Sequence, residues 1–202
     1  MTNNPNHRLE IFCDGVIAIA ITLLILEIKV PPIHDIHSVQ ELKHALLEAW
    51  PHWFGFVLSF LAIFISWFNH HAIFKLAERT SVYFFYANGF FLLTIVMIPF
   101  SAALMSEYIL TEYAQPAVSV YCLIALLHNL AWNCIGHATL PLIADKEASR
   151  AKMMIGNTNT RIGFLLYLLI FVLSFWFPIC AMVLITLSWV TWFFVGLFVK
   201  ED

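Results

Sequence analysis

The stretch RLEIFCDGVIAIAITLLILEIKV, residues 8–30, decides the fold: its middle is apolar enough to enter a bilayer, yet its ends are too polar to face lipid alone. Between Asp14 and Glu27 only the 12 residues 15–26 are free of charge. At 1.5 Å per residue they cover about 18 Å, against a hydrocarbon thickness of about 30 Å. A carboxylate inside a membrane span turns toward protein or water. This segment is therefore expected to be a transmembrane helix sheltered by the other spans of the chain, which is where a pore-lining helix would lie.

The rest of the chain supplies those spans. Of its 202 residues 61% are hydrophobic and only 11% charged, a balance that the core of a small soluble domain cannot hide. The net charge of −3 makes no case for nucleic acid. Apolar runs long enough to cross occur at 11–30, 52–73, 83–105, 117–139, 160–177 and 179–199. One helix over the last two would be about 60 Å long, twice the hydrocarbon thickness, so Pro178 is expected to mark a turn between two spans. The expectation is an all-α integral membrane protein, a single domain over 1–202 with six transmembrane helices per subunit. No Lys/Arg-rich leader with a small-residue cleavage site precedes the first span, which is expected to be retained. Cys13, Cys122, Cys134 and Cys180 are far apart and form no CxxC pair, so no disulfide framework or metal site is expected.

Orientation follows from the basic residues. With the N-terminus inside, the cytoplasmic segments hold Arg8, Lys75, Arg79, Lys146, Arg150, Lys152, Arg161 and Lys200, and the opposite side holds Lys29 and Lys43. Both termini are thus expected in the cytoplasm, in a multi-pass protein of the plasma membrane. Outside, Ser38 and Glu41 precede Leu42, Leu46 and Leu47, the pattern of a capping box opening a short amphipathic helix. Segment 145–158 is expected to be a solvated cytoplasmic loop.

On a helix advancing about 100° per residue, Ile19, Leu23 and Leu26 fall within about 40° of one line, with Thr22 at its margin and Asp14 about 140° away. If that stripe faces a symmetry axis, Asp14 points back into its own subunit. Ordinary packing explains the same spacing, since any apolar helix offers such a stripe. At the depth of Asp14 the sequence also places Trp67, His70, His71, Asn88, Asn133 and His137. A carboxylate among imidazole, indole and amide groups is paired rather than orphaned. A structural clasp is the favoured reading; a proton relay or a metal site is the alternative. Adjacent histidines on a helix do not share a face, so His70 and His71 make a poor metal pair. His128 looks isolated and uninformative.

Arg8-Leu-Glu-Ile-Phe12-Cys13-Asp14, followed by a small and apolar run that ends at Leu26-Glu27-Ile28, resembles the signature first helix of the bacterial branch of the transmembrane protein 175 family of potassium channels. Ser59-Phe60, Trp67-Phe-Asn-His70-His71, Asn88, Leu92-Leu93 and Pro99-Phe100 extend the likeness. Cys13 stands where the family usually has Ser. The resemblance implies a homotetramer with helix 1 of each subunit lining a central pore, rings of Ile19, Leu23 and Leu26 as hydrophobic constrictions, and Thr22 near the ion path. It assigns Arg8, Phe12, Cys13, Asp14, Trp67, a histidine of the His70–His71 pair and Asn88 to an inter-helix network.

No TVGYG-like stretch is present, so a filter of stacked carbonyls is not indicated. The expected function is passive flow of potassium, the permeant ion, past apolar rings, with no cofactor and no metal. Sodium holds its water more tightly and loses more at such a ring. The rival is a proton-coupled transporter using Asp14 and the His70/His71 region as a relay. An enzyme is not expected, because neither a nucleophile with its base nor an HExxH motif occurs.

Overall fold

The computed structural model describes residues 5–144 and 147–198, without the side chains of 196–198. Lys146, Lys200 and the end of the last expected span at 199 lie outside the described residues. Helix α1 runs His7–Leu23 and tightens into a 3-10 turn over Leu24–Glu27. The other helices are α2 (Val39–Glu48), α3 (Trp50–Leu76), α4 (Val82–Tyr108), α5 (Ala114–Thr139), α6 (Glu147–Ser174) and α7 (Pro178–Phe198). All except α2 are long and apolar enough to cross a membrane, so there are 6 candidate spans among the described residues. The ends of α3 and α5 meet where Glu78 N–H donates to Leu142 O at 3.1 Å. α1 starts at this same end of the bundle, called here the N-terminal end.

Local chemistry sets the boundaries. Ser38 Oγ accepts from Glu41 N–H at 3.1 Å, and Glu41 Oε2 accepts from His37 N–H at 2.7 Å, which opens α2 as a reciprocal cap. Ser81 Oγ caps α4 by accepting from Phe84 N–H at 3.0 Å. Between α6 and α7, Phe177 N–H closes back on Leu173 O at 2.9 Å, and Pro178 opens α7 at a position whose N–H has no helical acceptor anyway. The turn expected at Pro178 is there.

Segment 145–158 differs from expectation. Among its described residues, 147–158 form the first turns of α6 rather than a solvated loop. Met153 and Asn157, one turn apart, are buried against α5. There Gly136 leaves so little room that a Cβ would collide with the Asn157 amide. Lower on the same interface a Cβ on Gly163 of α6 would come within 2.8 Å of Asn129 Nδ2 on α5. Each helix sets a glycine against its partner's asparagine, the close approach that small residues permit in membrane bundles.

Helices α4 and α5 form the centre of the subunit and are its most buried spans, at 56% and 61% of their apolar windows. α1 and α6 are at the other extreme with 22% each, and α1 packs chiefly on α4 and α3. The expectation that the other five spans shelter it is therefore corrected: within one subunit it is covered on one face only. Charge pattern says that a helix needs cover but not which chain provides it.

Candidate functional site

The covered face of α1 carries Cys13, Ile17, Ala20 and Leu24, all at most 2% exposed and packed into a cluster with Ile63, Phe74, Phe84 and Phe91. The opposite face is bare: Ile19, Leu23 and Leu26 are 62%, 45% and 71% exposed. Thr22 lies beside them, and its hydroxyl donates to Ile19 O at 2.8 Å. That bond spends the hydroxyl proton inside the helix and leaves the oxygen lone pairs turned outward as acceptors.

Asp14 sits at the edge of the covered face, half-buried. Its Oδ1 accepts from Trp67 Nε1–H of α3 at 3.1 Å. One turn toward the N-terminus, Glu10 Oε1 meets His71 Nδ1 at 3.2 Å. His70 turns elsewhere. Asn88 Nδ2 donates to Phe84 O at 2.8 Å, which leaves Oδ1 as the acceptor for His70 Nε2–H at 2.7 Å. The His70 ring is stacked on Phe91 with centroids 4.8 Å apart. Neither histidine hydrogen-bonds Asp14.

Of the residues grouped around Asp14 from sequence, the structure thus brings Trp67 to Asp14 and His70 to Asn88, and it places His71 on Glu10, which the sequence reading passed over. Arg8 and Phe12 lie on the exposed face, on the same side as Ile19, and Phe12 is 61% exposed. Asn133 and His137 face α6 instead: Asn133 Nδ2 donates to Thr160 O at 3.1 Å, and Arg161 Nη2 donates to His137 Nε2 at 3.0 Å. Asn6, just ahead of α1, anchors the root of the helix by donating to Ala77 O and Arg79 O, both at 2.9 Å. Among the described residues no group of three or more His, Cys, Asp or Glu could hold a metal ion.

His128 is the largest surprise. It is buried at 1% exposure and joins three helices. Its Nε2 accepts from Trp132 Nε1–H at 3.1 Å and lies 2.8 Å from Ser66 Oγ, while Nδ1 lies 2.9 Å from Thr94 Oγ1. Because an indole N–H can only donate, Nε2 is unprotonated and Nδ1 carries the proton toward Thr94. Ser66 and Thr94 also bond the carbonyls of Ala62 and Phe91 at 2.7 Å, so neither depends on the imidazole alone. His128→Leu strands chiefly the Trp132 N–H, at a cost of about 1–3 kcal/mol. The expected result is a lower melting temperature in detergent with no change in ion preference.

Six apolar helices, one with a bare aliphatic face and a polar root tied to its neighbours, define a multi-pass membrane protein. A family model described as "Endosomal/lysosomal potassium channel TMEM175" matches residues 8–99. A potassium channel of Chamaesiphon minutus is 42% identical over 172 residues, 83% of each chain. One of Streptomyces collinus is 37% identical over 156 residues, 73% of this chain and 74% of its own. The crystal structure of a TMEM175 homolog from Chamaesiphon minutus superposes with a TM-score of 0.85 at 36% identity, covering 95% of this chain and 98% of that one. This chain belongs to the TMEM175 family of potassium channels. Its relatives are channels, a class without enzymatic chemistry.

Proposed function

We propose that four copies of this chain assemble with α1 of each around a central axis, and that potassium flows passively between them. The observation that carries this reading is the division of α1 into one covered and one bare face. On the covered edge Asp14 is held by Trp67, while the bare face presents Ile19, Leu23 and Leu26 in a line that copies of the same helix can meet around an axis. Other copies of the same helix supply cover that α3 and α4 do not.

In this arrangement Ile19, Leu23 and Leu26 form successive apolar rings and Thr22 sets hydroxyl oxygens between the first two. A narrow apolar ring gates by dewetting, and a small tilt or rotation of α1 opens it. Potassium passes more readily than sodium because it sheds water at lower cost, and Thr22 oxygens replace part of that water. Cys13, Asp14, Trp67, His70, His71 and Asn88 hold the helix within its subunit, while Arg8 and Phe12, on the bare face, meet neighbouring copies at the inner end of the pore. The charge bias supports a cytoplasmic placement of both termini, and the membrane of this proposal is the plasma membrane.

The test is reconstitution of the purified protein into liposomes with opposed potassium and sodium gradients. A channel gives potassium flux that dissipates the gradient without saturating and without moving protons in step. Saturable, proton-coupled flux would instead support the transporter in which Asp14 and the His70/His71 region relay protons. Absence of any flux sinks both.

A further inference from the structure

We infer that Glu10 and His71 are positioning residues for ion selectivity, acting as a second rung beneath Asp14–Trp67 in an antiparallel ladder that fixes the tilt of the pore helix. This rests on the reading of α1 as the helix that lines the pore.

The geometry is regular. Glu10 and Asp14 are one turn apart on α1, and Trp67 and His71 are one turn apart on α3. The two helices run in opposite directions, so the lower acid meets the later residue: Glu10 pairs with His71 at 3.2 Å and Asp14 with Trp67 at 3.1 Å. In both rungs α1 supplies the acceptor and α3 the N–H donor, since a carboxylate oxygen accepts and an indole nitrogen donates. Glu10 is the better enclosed partner, its side chain 17% exposed against 49% for His71. A carboxylate so placed draws a net gain from its donor that a fully hydrated surface pair does not.

A second rung matters because a single one is a pivot. With Asp14 as the lone side-chain tie to α3, α1 would keep its rotational setting, and only the Asn6 anchor and the apolar packing of Ile17, Ala20 and Leu24 would oppose its tilt. A tilt of about 10° about Asp14 would carry Leu26, about 18 Å further along the axis, sideways by about 3 Å. That shift is comparable with the diameter of a dehydrated cation, so it decides whether an ion must shed its water. A second bond one turn below resists tilt directly, because tilting stretches it while Asp14 stays put.

The experiment reads the potassium-over-sodium permeability ratio from reversal potentials in planar bilayers, a quantity independent of how many channels insert. Glu10→Ala and His71→Ala are each expected to lower the ratio about threefold to fivefold toward unity, the equilibrium shift that loss of one hydrogen bond gives. The double variant is expected to be no worse than either single one. Glu10→Gln keeps a carbonyl oxygen facing His71 and is expected to restore most of the wild-type ratio. In parallel, melting in detergent across the same double-mutant cycle reports whether the pair is coupled at all. Additive melting effects overturn the rung. Coupled melting with unmoved reversal potentials, or a Glu10→Gln variant as impaired as Glu10→Ala, overturns its positioning role. A wild-type chain that passes no potassium overturns the channel reading instead.

Discussion

Ile19→Asn is expected to raise cation flux by at least about tenfold and to erode the preference for potassium over sodium. In the proposed tetramer the substitution acts four times at one level. Each isoleucine that repels water becomes an amide that bonds it, at about 1 kcal/mol net per hydrogen bond. Four such changes would lower a desolvation barrier by up to about 4 kcal/mol, and every 1.4 kcal/mol is a factor of ten in rate. The rings of Leu23 and Leu26 remain, so the gain stops well short of that ceiling. Selectivity falls for the same reason: a wetted ring lets sodium keep the shell it would otherwise surrender. Because Ile19 is 62% exposed in the isolated subunit, its replacement leaves the subunit core intact, and any change reads the pore rather than folding. Single-channel recording with potassium and sodium on opposite sides measures both quantities. If neither moves, Ile19 does not line the bottleneck.

The spans were legible because lipid leaves few alternatives. Every backbone group must be satisfied within its own helix, so long apolar runs bounded by charge have one interpretation. Each of the six expected segments overlaps a helix of the structure, although 28–30 and 175–177 run past the helix ends and 199 lies outside the described residues, and Pro178 marks the break between the last two. The start of α6 was not legible. Residues 147–158 are polar enough to look solvated, and their helicity depends on Met153 and Asn157 docking beside Gly136 of α5, a contact between segments that no single-segment pattern displays.

The site divides the same way. That Ile19, Leu23 and Leu26 share one face of α1 and Asp14 lies on another follows from helical period, but that the first face is left bare by the subunit does not. Partners do not follow from period. His70 and His71 are adjacent and point about 100° apart, so one reaches Asn88 and the other Glu10, and the sequence says nothing about which. A signal was present all the same: acids at 10 and 14 on one helix and N–H donors at 67 and 71 on another share a four-residue spacing. His128 gave a weaker signal: Trp132 stands one turn away on its own helix, but Ser66 and Thr94 come from two other helices at unrelated positions.

Asp14 separates the two mechanistic readings by what replaces it. Under the clasp reading, the carboxylate serves as an acceptor for Trp67 Nε1–H, and its charge is incidental. Asp14→Asn retains an oxygen in the same place, so passive potassium flux is expected to stay within about threefold of wild type, the cost of exchanging a charge-assisted hydrogen bond for a neutral one. Asp14→Leu removes the acceptor altogether. It leaves the indole N–H facing an alkyl group and removes one tie of α1 to α3, with Glu10–His71 and the Asn6 anchor remaining, a loss of about 1.5–3 kcal/mol and hence of at least about tenfold in flux. Under the transporter reading the order changes, because a relay needs a group that takes and releases a proton. An amide does neither, so Asp14→Asn would stop transport as completely as Asp14→Leu. Liposome flux of the two variants, measured beside their melting temperatures, decides between them. A dead Asp14→Asn that melts like the wild type would end the clasp account, since the hydrogen bond would persist while the function was lost.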